Sequence, residues 1–387
     1  MSRMLKPTIL SLSLLTVMSG AAVAPALARI AAAFPDASQT SIKLILTMPA
    51  VFIILFSLLS GRLSARFSKR RLLTCGLVIY LLGGVSGGLV NRFELLLAAR
   101  AVLGMGVGLI MPLSTGLIAD FFVGDQRARM MGYATASSNL GGIFATLFSG
   151  MLAVYNWRYA FGVYGASIVV LLLVLFFLPE SGGKAVHQGH EHSRLPRAVY
   201  AWAAGAFLLM LGFYAIPVNL AIFLERNGLG DASAAGMTIA IVTASGFVAG
   251  LSFGSVQALL RKLLPPLLFA LSGAGYLLLS QAHSLPAVWL AASVVGLGLG
   301  WTMPLLFTGA TRAGGSGMGV QTMAVVTSMI FLGQFMSPLV LDFIGSLWGD
   351  ISPRFIFLLI AGCFAVTLSG DLGRLAIMRT GVGKNGS

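Results

Sequence analysis

The sequence predicts an all-α integral membrane protein with twelve transmembrane helices in two parallel six-helix repeats. Three observations support this prediction: the composition, the placement of apolar stretches and cations, and an internal repeat. Of the 387 residues, 57% are hydrophobic and 9% are charged, and the mean hydropathy is +0.94. Soluble proteins average about 25% charged residues. A chain this poor in charge cannot cover a water-exposed surface, and its hydrophobicity also excludes a disordered protein.

Apolar stretches long enough to cross a bilayer recur along the whole chain. A span needs about 20 apolar residues, and unpaired backbone groups in lipid require each span to be helical. The run from Pro7 to Ala28 is too long for the core of a signal peptide, so we expect an uncleaved first span. The twelve predicted spans cover residues 7–29, 41–60, 72–90, 95–118, 131–154, 159–178, 198–222, 232–254, 265–283, 286–309, 318–343 and 355–375.

The cations are distributed unequally between the two sides of these spans. If the N-terminus is cytoplasmic, 18 of the 25 Lys and Arg residues lie in inner segments and 6 in outer segments. The outer cations are Arg29, Lys43, Arg92, Arg158, Arg226 and Arg354. This split follows the positive-inside rule and predicts an inner (plasma) membrane protein with both termini cytoplasmic. The net charge of +14 then reflects orientation and contact with anionic lipid, so no nucleic-acid partner is expected.

An internal repeat relates the two halves. Residues 102–113 read VLGMGVGLIMPL and residues 294–305 read VVGLGLGWTMPL, which agree at seven of twelve positions with an offset of 192. A six-span unit repeated in the same orientation is a parallel repeat. The predicted domains are an N-terminal bundle of residues 1–178, a cytoplasmic linker of residues 179–197 and a C-terminal bundle of residues 198–387.

Metal, redox and enzymatic chemistry find little support in the sequence. Three histidines, His187, His190 and His192, lie in the predicted linker, where no surrounding groups would orient them as metal ligands. The two cysteines, Cys75 and Cys363, lie in separate apolar runs. No HExxH, GxSxG or Walker pattern occurs. We therefore expect no metal, no cofactor and no enzymatic activity.

Three short motifs, in order, carry a resemblance to a known family. The run GRLSARFSKRR at residues 61–71 resembles the loop signature that follows span 2 in the major facilitator superfamily. Arg100 followed by Gly104, Gly106 and Gly108 resembles that superfamily's span 4 motif, and WRYAF at residues 157–161 resembles its motif before span 6. The resemblance covers essentially the whole chain and implies a transporter working by alternating access, closest to the drug:proton antiporter type.

Two departures from the family pattern bear on mechanism. The acidic residue of the loop after span 2 is Ala65 here, and the following glycine is Ser68. In span 5, Ala145 and Thr146 occupy the place of the antiporter Gly-Pro, while a proline appears at the repeat position, Pro338.

Arg100 is the clearest functional candidate within a span. A charge in mid-membrane is costly and marks a functional hypothesis by default, and the repeat partner of Arg100 is Ala292. No Asp or Glu lies near the middle of any predicted span, so the cavity is expected to be neutral to positive. The other candidates for substrate binding or coupling are Asn139, Tyr214, Asn219, Trp301, Gln334 and Asp342.

The loop after span 2 is the candidate gate. Its cations are expected to contact helix C-termini or acids such as Asp120 and Asp125 on the cytoplasmic face. The gating residues predicted from the motif are Gly61, Arg66, Lys69, Arg70 and Arg71.

The functional prediction is a monomeric secondary active transporter that uses protons or another coupling ion to export small amphipathic or drug-like compounds. Uptake or export of a small organic anion is the alternative within the same class. A membrane signalling or scaffold protein without transport activity is the alternative from another class.

Overall fold

The computed structural model describes residues 4–64, 66–179, 195–315 and 318–382. Its helices follow the twelve predicted spans in order, which confirms the predicted all-α membrane fold. The helices are α1 (Leu5–Ala21), α2 (Leu27–Ala33), α3 (Gln39–Leu63), α4 (Lys69–Ser86), α5 (Phe93–Phe121), α6 (Gly124–Tyr155), α7 (Ser167–Phe177), α8 (Arg197–Phe213), α9 (Ala215–Arg226), α10 (Ala232–Leu260), α11 (Leu264–Ser280), α12 (Leu285–Gly314), α13 (Gly319–Leu347) and α14 (Pro353–Val382). Short 3₁₀ segments, Ala24–Ala26, Trp157–Ala166 and Arg261–Leu263, precede α2, α7 and α11.

Ten helical segments of the described chain have the length and apolar composition needed to cross a membrane. The apolar helix α11 is shorter, with 17 residues, and α4 opens with three cations, Lys69, Arg70 and Arg71. These two helices occupy the remaining predicted spans. The predicted linker lies mostly outside the described residues, at 180–194.

Polar caps mark where several helices begin. The Ser38 hydroxyl accepts a hydrogen bond from the Ser41 amide at 3.1 Å before α3, and Ser68 caps α4 in the same way. Asp231 accepts from the amides of Ser233 and Ala234 at the start of α10. These caps satisfy amide groups that the first turn of a helix leaves unpaired.

The described helices divide by their contacts into two compact units. One unit comprises residues 1–240 and 310–340, and the other comprises residues 241–309 and 341–387. The first contains α1 to α9, and the divisions fall within α10, α12 and α13. The domain boundary predicted from the linker stays a prediction.

Glycines of the repeat make equivalent close helix contacts. In the first unit, a Cβ atom at Gly104 would lie 2.5 Å from the Pro49 carbonyl oxygen, so α5 packs directly on the α3 backbone. In the second unit, a Cβ atom at Gly296 would lie 2.5 Å from the Val242 carbonyl oxygen, so α12 packs on α10. The two glycines are 192 residues apart, and their partners Pro49 and Val242 are 193 residues apart. Such contacts allow close helix approach in membranes and support the repeat inferred from the sequence.

Two arginines at the predicted outer ends repeat a second arrangement. In the first unit, Arg158 donates to the Val90 carbonyl at 2.6 Å and to the Asn91 side chain at 2.9 Å. In the second unit, Arg354 donates to the Ser280 and Ala282 carbonyls at 2.8 and 2.9 Å. Val90 and Ala282 are 192 residues apart, so each arginine binds the same connection of its own repeat.

Candidate functional site

Two predicted spans are interrupted rather than continuous. The first breaks between α1 and α2, just before Pro25, and the seventh breaks between α8 and α9, just before Pro217. A proline lacks the amide hydrogen needed for helix bonding and breaks the helix before it. The sequence analysis predicted both spans as uninterrupted helices. The two prolines are 192 residues apart, which is the spacing of the repeat, and this could have indicated equivalent breaks. Interrupted helices commonly build substrate sites in transporters.

Arg100 in α5 is fully buried at the first of these breaks. Its Nε donates to the Ile45 carbonyl of α3 at 2.8 Å, and its Nη2 donates to the Ser19 carbonyl of α1 at 2.7 Å. Its Nη1 donates to the Tyr164 hydroxyl at 2.7 Å, and its exposed fraction is 0%. These partners, which lie in the described part of the chain, include no carboxylate.

Two tyrosines complete the surroundings of the guanidinium. Tyr164 donates to the same Ser19 carbonyl at 2.8 Å, so Arg100, Tyr164 and the last turn of α1 form a closed hydrogen-bonded set. Tyr80 of α4 meets the Tyr164 ring edge-on at 5.9 Å and donates to the Leu15 carbonyl at 3.2 Å. Hydrogen bonds to most sides of a buried guanidinium offset part of its desolvation cost. Sequence reasoning missed Tyr164 and Tyr80.

Tyr214 lies at the second break, between α8 and α9, and reaches the first break. Its hydroxyl is so close to α1 that a Cβ atom at Gly20 would lie 2.9 Å from it. The structure therefore brings Arg100 and Tyr214, both predicted site residues, to adjacent residues of α1. We call Ser19, Gly20, Arg100, Tyr164 and Tyr214 the helix-break site. It combines one fixed cation, two phenol groups and a backbone carbonyl of an interrupted helix.

Three other predicted site residues lie in the first unit at different places. Asn219 in α9 is 1% exposed and its Nδ2 donates to the Ala215 carbonyl, while its buried Oδ1 has no hydrogen-bond partner among the described residues. Asn139 in α6 is half-buried. Gln334 in α13 contacts the Met210 sulfur of α8 at 3.9 Å. Asn219 is the one of the three with a buried polar atom that lacks a hydrogen-bond partner among the described residues, and its binding role stays a prediction.

Trp301 and Asp342 belong to the second unit. The Trp301 indole nitrogen donates to the Ser252 hydroxyl at 3.0 Å, and its ring packs on the apolar cluster of Phe253, Leu264 and Leu268. Asp342 in α13 is 4% exposed. It is thus a buried carboxylate, and its coupling role stays a prediction.

The predicted gating loop makes contacts of both expected kinds. Lys69 Nζ lies 2.5 Å from the Asp120 carboxylate at the end of α5, and Arg70 donates to the Leu175 carbonyl in the last turn of α7. Arg66 and Arg71 are exposed, and Gly61 has open space around its Cα. Ala65, where the family has its acid, lies outside the described residues. Gating by these residues stays a prediction.

Polar pairs also join α2 and α3 to α9 at the predicted outer end. Arg29 Nε lies 3.7 Å from a Glu225 carboxylate oxygen, and Arg226 donates to the Gln39 side-chain oxygen at 3.4 Å. Both members of the ion pair are roughly two-fifths exposed, so the pair contributes little to stability. Lys43, predicted at the outer interface, is instead fully buried in α3.

Comparisons with known proteins agree with this architecture. The family model of the Major Facilitator Superfamily matches residues 9–338. The cephamycin export protein CmcT of Amycolatopsis lactamdurans is 32% identical over 242 residues, which cover 60% of this chain and 46% of that protein. The quinolone resistance protein NorA of Staphylococcus aureus is 28% identical over 131 residues, or 34% of each chain. The chain thus matches less than half the length of these relatives.

Solved transporter structures share the fold at low sequence identity. A bacterial homolog of the human lysosomal transporter Spinster, in an inward-facing and occupied conformation, superposes with a TM-score of 0.77 at 16% identity, covering 95% of this chain and 96% of the other. The nucleoside transporter NupG superposes with a TM-score of 0.80 at 11% identity, covering 95% and 99%. The family model matches most of the sequence and the fold is shared with solved transporters, so the chain belongs to the Major Facilitator Superfamily, a family of multi-pass membrane transporters rather than enzymes.

Proposed function

We propose that this transporter exports small amphipathic compounds across the inner membrane in exchange for protons, with the helix-break site as its substrate site. The matched segments of a cephamycin exporter and a quinolone resistance protein support export of compounds of this kind. The non-transporting scaffold considered from the sequence is set aside by the family membership.

The observation that carries the proposal is the burial of Arg100 among carbonyls and a phenol at a helix break. The position holds one cation whose hydrogen bonds go to two carbonyls and a phenol, beside Tyr214 from a second interrupted helix. A substrate with an apolar body and a polar group finds both kinds of surface there. The ring of Tyr214, which is only partly buried, provides an apolar face, and its phenol group beside the α1 backbone provides a polar one.

A small organic anion is the second candidate substrate class, and one specific observation favours it. The hydrogen bonds of Arg100 go to neutral groups, so no carboxylate among the described residues offsets its positive charge, which favours a substrate that carries an anionic group. Asp342, buried in α13, is the proposed proton-carrying residue in either case.

The remaining topology is proposed on the cation distribution. Both termini and the linker at 179–197 lie in the cytoplasm, the bundles of residues 1–178 and 198–387 act as the two moving bodies, and the transporter works as a monomer. The 18 to 6 division of cations supports this orientation.

Reconstituted proteoliposomes test the proposal. Vesicles with an acidic interior are given a quinolone, a cephamycin and a non-amphipathic sugar outside, and uptake is followed with and without an ionophore that collapses the proton gradient. We expect gradient-dependent accumulation of at least one amphipathic compound and none of the sugar.

Two results would count against the proposal. If uptake is unchanged when the proton gradient is collapsed, transport is not coupled to protons. If only the sugar is taken up, amphipathic compounds are not the substrates. Uptake confined to anionic compounds would replace amphipathic export by the organic-anion alternative.

A further inference from the structure

A separate pocket of about 380 Å³ lies between α2, the start of α3 and the end of α9. None of its lining residues belongs to the helix-break site, and its volume lies within the range of small-ligand sites. It lies at the end of these helices that the cation distribution predicts to be outside the cell. The residues around it are Ala28, Ala31, Ala32, Pro35, Ala37, Gln39, Ile42, Ile222, Glu225 and Arg226.

The walls of this pocket are divided into an apolar side and a polar end. Alanines of α2 together with Ile42 and Ile222 form the apolar side. The polar end holds Arg226, whose Nη2 donates to the Gln39 side-chain oxygen at 3.4 Å. That distance is long for such a bond, so the guanidinium is loosely held and its remaining N–H groups can meet a ligand.

Gln39 supplies a second donor. Its side-chain nitrogen is buried and has no hydrogen-bond partner among the described residues. The amide orientation is set by Arg226, because a guanidinium only donates and the oxygen of Gln39 must therefore face it. A buried donor without a partner costs about 1–3 kcal/mol, so a ligand that offers an acceptor there recovers that cost.

The acid at the pocket is already partnered. Glu225 lies 3.7 Å from Arg29, an arginine of α2 that is not among the lining residues. The positive charge of Arg226 is therefore left as the dominant charge facing the cavity. Beside this paired acid, the polar end offers one cation and one unpaired amide donor, groups that can bind a carboxylate.

We infer that this pocket binds a small amphipathic carboxylate, with the carboxylate on Arg226 and the Gln39 amide nitrogen and the apolar body against the alanine face of α2. The inference does not depend on the proposed export activity, because it concerns equilibrium binding at a site distinct from Arg100. Binding there would add a ligand site at the outer end of the transporter, where a compound enters or leaves.

Equilibrium titration of the purified full chain in lipid nanodiscs tests this binding. The probe is 1-naphthylacetate, which is fluorescent and carries one carboxylate, and 1-naphthylacetamide is the neutral isostere. Arg226→Gln removes the proposed anion contact. Arg92→Gln is the matched control, because it removes one exposed outer cation that does not line the pocket. Ala31→Trp fills the cavity.

We expect the carboxylate to bind roughly tenfold more tightly than the amide, as for one charge-assisted hydrogen bond. Arg226→Gln should reduce this preference to within about twofold, Arg92→Gln should preserve it, and Ala31→Trp should remove saturable binding. Equal affinity for the two probes would overturn the inference, as would equal losses in the two arginine variants. If Ala31→Trp does not fold, unchanged probe affinity in folded Ala31→Leu would overturn it as well. No gradient or transport is involved, so failure here is distinct from failure of the proposed export.

Discussion

The two repeats share helix contacts but differ in the polar groups that they bury. The glycine contacts of α5 on α3 recur between α12 and α10, and the arginine contacts of Arg158 recur at Arg354. At the position of Arg100, however, the second repeat has Ala292. Tyr164 and Ile360 are separated by the same number of residues as Arg158 and Arg354, so we treat Ile360 as the repeat partner of Tyr164. Ala292 is 2% and Ile360 4% exposed. One repeat therefore buries apolar residues where the other buries a charge, and this difference is the reason to propose a functional role for Arg100.

The predicted inner ends differ in the same way. The first repeat has the ion pair of Lys69 and Asp120. Their repeat partners in the sequence are Lys262 and Arg312, which are both cations. The second repeat thus keeps the positive charge expected of a cytoplasmic loop and lacks the opposite charge. The polar interactions that distinguish the repeats are candidates for function, whereas the shared ones are scaffold.

Arg100→Ala should produce the largest effect on transport. Removing the guanidinium separates α5 from the last turn of α1, and a misplacement of about 1 Å at a substrate site can cost roughly 100-fold in rate. Membrane insertion should be unaffected, because the variant removes a charge from a span. Uptake into proteoliposomes measures the rate, with membrane fractionation as the insertion control. Transport at the wild-type rate by this variant would show that the difference between Arg100 and Ala292 has no effect on transport.

Ala292→Arg should harm folding rather than transport alone. The second repeat has an isoleucine, Ile360, where the first has the phenol of Tyr164, so the new charge lacks that partner. Placing an arginine within a span costs up to about 2.5–3.5 kcal/mol on insertion scales, the upper end applying at the centre of the helix. Thermal unfolding of purified protein measures the loss, with Ala292→Leu as the uncharged control of similar bulk. Equal unfolding temperatures for the two variants would show that this region accepts a cation as readily as the first repeat.

The fold could be predicted from the sequence, but only part of the candidate site could. Hydropathy and cation placement depend on residue type, so the twelve spans and their repeat could be predicted. The partners of Arg100 include the carbonyls of Ser19 and Ile45. Backbone groups carry no sequence signal, and only the three-dimensional path of α1 brings them together. Tyr164 could not be singled out either, because a tyrosine near the end of a span is equally typical of the membrane interface.

Tyr164→Phe should have an intermediate effect. It leaves one Arg100 N–H without its acceptor in the interior, which costs about 1–3 kcal/mol. Tyr80→Phe is the matched control, because it removes a single phenol bond of 3.2 Å to a backbone carbonyl and leaves Arg100 bonded. We expect the first variant to lower the unfolding temperature and transport rate more than the second. A larger loss in Tyr80→Phe would contradict the assignment of Tyr164 as the positioning partner of Arg100.

Among these variants, Lys69→Met should lower stability the least, and its effect should be easier to detect in the transport rate. The ion pair with Asp120 is partly exposed, so its loss costs about 0.2–1 kcal/mol. If the pair acts as a gate, turnover should fall by about threefold, in keeping with that energy. Exchanging the charges in Lys69→Asp with Asp120→Lys should restore part of the rate. Unchanged turnover in Lys69→Met would indicate that the cations of the loop at residues 61–71 serve only to orient the protein in the membrane.

The central claim is that substrate binds at the helix-break site and not at the apolar cluster around Trp301. Alkylation of single cysteines tests it most directly, in a version with Cys75 and Cys363 replaced by serine, both of which are free. Tyr214→Cys places the thiol at the break, and Trp301→Cys places it in the second unit. A transported compound should slow maleimide labelling at position 214 by several-fold and leave position 301 unchanged, provided that each variant still binds the compound. Protection at position 301 without protection at position 214 would contradict the claim.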